Sequence, residues 1–89
     1  MSHDDLVKDI ALVRIRESGV LPGQRYRHYK TGGIYLVVAV GLFEADLEPL
    51  VHYRLADDEY AIVWTRYLGV FGGQALQDGA LVRRYERVE

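Results

Sequence analysis

With 89 residues, a formal net charge of −2 and no cysteine, the chain is a single small domain without disulfides, thiol nucleophiles or cysteine-held metals. A hydrophobic content of 49% excludes a disordered chain, and a sequence pI of about 5.9 argues against indiscriminate coating of nucleic acid, which needs a basic surface. No apolar run is long enough to span a membrane, and the early acids Asp4 and Asp5 do not suit a signal peptide, so a soluble cytoplasmic protein is expected.

The spacing predicts a helix over 2–18. Ser2 or Asp4 can cap it, and Asp4 and Asp5 suit the positive end of its dipole. Leu6, Ile10 and Val13 recur at helical spacing, widened by Val7 and Ala11. Leu12 and Ile15 fall outside this stripe, so either the helix is buried on more than one side or a second subunit covers it. A strand over Ile10 to Ile15 is the alternative. Gly19 is placed as a C-terminal cap, with Pro22 just beyond. The apolar content predicts that the helix packs on the outer face of the sheet, in this chain or in a partner.

Pro22-Gly23 marks the turn into a sheet. A first strand is predicted over Gln24 to Lys30, a turn at Thr31-Gly32-Gly33, and a second strand over Ile34 to Val40. An acidic loop follows from Phe43 to Pro49, then a third strand over Leu50 to Leu55. Asp57-Asp58-Glu59 makes the next turn. A fourth strand is predicted over Tyr60 to Thr65, with Arg66 at its end, and a helical turn over Tyr67 to Phe71. The chain ends in a hairpin, Gln74 to Gln77 and Ala80 to Tyr85, turned at Asp78-Gly79. One helix and five or six short strands predict a mainly β fold, closed into a small barrel or roll because closure removes exposed edges.

These residues also carry a resemblance. Gly23-x-x-Tyr26-Arg27-His28-Tyr29-Lys30 with Gly33-x-Tyr35-x-Val37, then Leu50-Val51-x-Tyr53-Arg54, then Trp64-x-Arg66-x-x-x-x-Phe71, and finally Asp78-Gly79 with Arg84-Tyr85, resemble in order the motifs of a small bacterial family called domain of unknown function 1653. The likeness runs from about residue 22 to 87 and leaves out the N-terminal helix. It implies an SH3-like β-barrel over 20–89, preceded by the helix over 1–19, and supplies no mechanism. That family tends to carry a histidine-serine-glutamate-threonine run after the second strand. Here the loop reads Phe43-Glu44-Ala45-Asp46, which puts any role of that run in doubt for this member.

No catalytic motif is present, and an enzyme is the least favoured class. Tyr26, His28 and Lys30 fall on one side of the first strand, Arg27 and Tyr29 on the other. Which side faces inward depends on the length of the turn, since a one-residue slip exchanges the faces. His28 and His52 could approach each other, but no third ligand is signalled, so neither a metal nor a cofactor is expected. Trp64 is expected in the core, where its removal would cost about 3–5 kcal/mol. Arg66 either pairs with an acid across the sheet or borders a groove. Arginine outnumbers lysine nine to two, and Arg25, Arg27 and Lys30 cluster without an acid among them. A surface built from Tyr26, Arg27, His28, Lys30, Tyr53, Arg54 and Arg66 would suit an anionic partner, a short RNA or an acidic peptide. The competing expectation is a structural domain that forms homo-oligomers through its helix.

Overall fold

The expected helix forms, and its packed stripe differs from the one read off the sequence. The computed structural model describes residues 3–89, so the capping role expected for Ser2 lies outside the described residues. Helix α1 covers His3–Ser18, and Asp4 lies inside it rather than at its cap. Val7, Ala11 and Ile15 turn inward, four residues apart; Leu6, Ile10 and Val13 remain exposed. Ile15 packs against the core cluster, so α1 covers one end of the core instead of the outer sheet face. The ion pair from Arg14 to Glu48, 3.0 Å long, ties it to the loop before the third strand. Gly19 ends it at φ 72, a left-handed conformation that glycine adopts without strain.

The strands are β1 (Arg25–His28), β2 (Ile34–Leu42), β3 (Pro49–Leu55), β4 (Trp64–Tyr67), β5 (Gln74–Gln77), β6 (Ala80–Arg83) and β7 (Tyr85–Arg87), with a short helix α2 (Leu68–Phe71) after β4. Five of them make an antiparallel sheet in the order β4-β3-β2-β1-β7, and β5 and β6 form a separate hairpin. The chain is therefore mainly β, as expected. Among the described residues the expected closure is absent, because β4 and β7 stand at opposite edges of the ladder. No helix among the described residues is long and apolar enough to cross a membrane.

Several boundaries move for identifiable reasons. β1 stops at His28, two residues early, because the His28 carbonyl accepts from the Gly32 N–H at 2.9 Å and the chain turns there. The link to β2 is thus longer than the three residues expected, and it sets the register Tyr26↔Tyr35. Tyr26 and His28 face inward, Arg25 and Arg27 outward. In β2 a bulge between Val37 and Ala39 absorbs Val38, so that Val37 and Val40 both reach the core. β4 begins at Trp64, not at Tyr60. Arg54 Nη1 donates to the carbonyls of Leu55 and Asp58 at 2.9 and 3.0 Å, and Asp58 Oδ1 accepts from the Tyr60 N–H at 2.9 Å. This loop outcompetes the β-propensity of Ala61-Ile62-Val63. The last strand also divides at Arg84: β6 completes the hairpin, with positive φ at Asp78 and Gly79, whereas β7 crosses to pair with β1.

Val20, Tyr26, Val37, Val51, Tyr53, Leu68, Phe71 and Tyr85 form the core. Its buried hydroxyls are satisfied, as burial requires. Tyr26 donates to Gln24 Oε1 at 2.8 Å, and the Tyr85 hydroxyl bonds to that of Tyr53 at 3.1 Å. Gln24 also accepts from the Leu21 N–H and donates to the Gly19 carbonyl, which fixes the entry from helix to sheet. Trp64 is not in this core. It is 51% exposed on the edge strand, so the cost expected for its removal must be revised. In urea denaturation Trp64→Ala should lose about 1 kcal/mol or less; a loss as large as that of a fully buried aromatic would show that the ring is packed after all.

Candidate functional site

Aromatic residues on the inner side of the sheet continue past the core into an open groove of about 840 Å³. His28, Tyr35, Tyr53, Trp64, Arg66 and Tyr85 line it on one side; Phe43, Leu50 and Tyr67 border the other. β1 delivers His28 because its inward parity follows that of Tyr26. β3 delivers Tyr53 opposite Trp64, and β4 delivers Arg66 opposite Val51. Tyr67 donates its hydroxyl to Asp46 Oδ2 at 3.1 Å, which moors the acidic loop to β4 and raises the phenol's pKa, the hydrogen bond being the largest cause.

Among the described residues Arg66 is the one arginine or lysine that lines this groove. Its Nε donates to the Tyr53 hydroxyl at 3.1 Å, and that hydroxyl is also bonded to Tyr85. Burial, then the hydrogen bond to Tyr53, pushes the Tyr85 phenol far above its ordinary value, so it stays a neutral hydroxyl. No carboxylate forms an ion pair with Arg66 among the described residues, and none lines the groove. The expectation that Arg66 pairs with an acid across the sheet therefore gives way to its alternative.

His28 is held as a neutral imidazole. Its Nδ1 accepts from the Lys30 N–H at 3.2 Å and the Thr31 N–H at 3.4 Å, which places its proton on Nε2. The ring meets Tyr85 edge-on, with centroids 5.0 Å apart. Burial lowers its pKa, and the charges of Arg66, Arg84 and Lys30 lower it further. A depressed folded-state pKa means that the unfolded chain takes up the proton first as pH falls. Stability from this group is complete above the ordinary imidazole value of about 6.5 and is lost as pH falls through the lower folded-state value. NMR titration should give His28 a midpoint below that ordinary value; a midpoint at or above it would contradict this account.

The other expected site residues are dispersed. Tyr26 is buried on the inner side, its pKa raised by burial and partly offset by Arg87 and Arg83. Arg27 projects from the outer face of β1, and Lys30 is exposed in the turn beside Thr31. Arg54 also belongs to the outer face, where backbone carbonyls occupy its guanidinium. His52 bonds Thr65 Oγ1 at 2.9 Å on the outer side, so it does not approach His28. Of the seven residues expected at the site, the groove gathers His28, Tyr53 and Arg66. Sequence reasoning assigned no role to Phe43, Leu50 or Val70 in it, and placed Trp64 in the core. Tyr35 and Tyr85 lay within the recognised motifs, which was the one available signal for them.

The family model described as protein of unknown function (DUF1653) matches residues 24–87. That span includes β1 to β7 and α2, and leaves α1 outside. Neither the curated proteins nor the solved structures yield a match to this chain.

Proposed function

We propose that this chain, which belongs to the DUF1653 family of proteins of unknown function, is a non-enzymatic binding module that takes an anionic partner in its aromatic groove. The observation that carries the reading is Arg66: a guanidinium positioned by Tyr53, without a carboxylate partner among the described residues, between aromatic walls. Such a site offers charge-assisted hydrogen bonds to an oxyanion and apolar contact to whatever carries it. The partner is an acidic peptide rather than RNA. A single strand of RNA brings a phosphate with each nucleotide and is held by a row of cations. Here Arg66 is the one arginine or lysine lining the groove, and His28 beside it is neutral. We further infer that the fold is an SH3-like roll, a reading supported by the last strand returning beside the first.

Fluorescence anisotropy with labelled acidic peptides and single-stranded RNA, each at low and high salt, tests the function. Arg66→Ala should weaken peptide binding roughly tenfold or more while the protein stays folded, since loss of a charged hydrogen bond is worth about 1.5–3 kcal/mol. An acidic panel that does not bind, or binds the variant equally well, would overturn the reading.

A second reading rests on α1. Leu6, Ile10 and Val13 form an exposed apolar stripe, and the acidic first turn and Arg16 in the last would complement each other in an antiparallel helix pair. A concentration-dependent dimer abolished by Ile10→Lys in sedimentation would favour it.

A further inference from the structure

Strand alternation sends Trp64 and Arg66 to one face of the sheet and Thr65 and Tyr67 to the other. All four nevertheless border the same groove. A groove lying over one face could not touch both parities, so this one passes from the inner face around the outer edge of β4. β4 is the terminal strand of the sheet, and all four of its residues are exposed. Among the described residues no backbone group pairs with its outer edge. Unpaired edges of this kind are templates for another strand.

Resting on the peptide-binding reading above, we infer that the acidic peptide binds as an added strand along the outer edge of β4. Its main chain completes the ladder beyond β4. One side chain delivers a carboxylate to Arg66. A second, two residues away and hence on the same face, lays an apolar group against Trp64. The recognised chemistry is therefore an extended segment with an acid and an apolar residue separated by a single position. Exposed Ile62 and Val63, just before β4, extend the apolar edge for a longer peptide. A second copy of this chain fits the edge less well. Its own β4, Trp64-Thr65-Arg66-Tyr67, has no acid to offer Arg66 and would bring another Arg66 into the shared ladder.

The test uses the full chain and a short capped peptide in which serine alternates with glutamate and leucine in turn. Two derivatives carry N-methyl groups, one on the odd-numbered amides and one on the even-numbered. In a strand, successive residues direct their N–H groups to opposite sides, so only one set faces β4. The expected result is that one derivative loses roughly tenfold or more in affinity, the loss of at least one net hydrogen bond in an apolar setting, while the other binds like the parent. Hydrogen exchange should slow at β4 amides when the parent peptide binds. If both derivatives behave alike while Arg66→Ala still weakens the parent, strand addition is overturned and the groove reading survives. If the parent does not bind, both fail. Arg66-dependent binding of single-stranded RNA without peptide binding, or a dimer through β4 that excess peptide does not dissociate, also overturns the inference.

Discussion

Replacing Phe71 by alanine should destabilise the protein by about 3–5 kcal/mol, the usual cost of deleting a buried aromatic ring and leaving its cavity. Phe71 is 1% exposed. Its ring stacks on Tyr85 with centroids 4.5 Å apart, meets Tyr26 edge-on at 5.1 Å and contacts Tyr53 at 5.2 Å. The aromatic contacts add to the loss beyond the buried area alone. A core of this size cannot collapse around the hole without moving Tyr53 and Tyr85, which support Arg66. The urea midpoint should fall sharply with an unchanged slope, and Phe71→Leu should recover part of the loss. A midpoint close to wild type would mean that the ring is not the keystone of the core.

The second large effect is expected at Gly73. A Cβ there would come within 2.8 Å of the Gly69 carbonyl oxygen and 3.3 Å of that of Val70. Both atoms are backbone, so no side chain can swing away. Gly73→Ala should therefore displace the end of α2, which carries Leu68 and Phe71 into the core, at about 1–3 kcal/mol, the usual range for forced overpacking. Gly69→Ala is the control. A Cβ at Gly69 meets nothing within 4 Å, so that substitution should be neutral or mildly stabilising in a helical turn. Equal thermal midpoints for the two variants would remove the steric argument.

Local chemistry made much of this architecture legible. Gly19 and Pro22-Gly23 closed the helix, Asp78-Gly79 made its hairpin, and the spaced motifs identified the family. What stayed hidden depended on partners distant in sequence. The inward face of β1 is undetermined in the sequence because it is set by the register in which the turn from His28 to Gly33 closes. The bulge at Val38 has no local signature, and it changes which residues of β2 reach the core. Ala61-Ile62-Val63-Trp64 reads as a buried strand, yet Arg54 and Asp58 hold the preceding loop open and leave Trp64 at the edge. At the site, Arg66 and His28 stood out by residue type and setting. Phe43 could not, since its place at the groove depends on the β2–β3 connection and on the distant tether from Tyr67 to Asp46.

The pairing of β7 with β1 has a consequence for synthesis. Tyr85 fills the core and sits opposite His28 in the ladder. A chain emerging N-terminus first exposes Tyr26 early and must wait for Tyr85 before that neighbourhood can close. Helix α1 and the β1-β2-β3 meander, whose contacts are local in sequence, can form before Tyr85 joins them. During that interval β1 has an open edge and Phe71 lacks its stacking partner. The nascent protein is most vulnerable to aggregation then, and a chaperone would have most to offer in that interval.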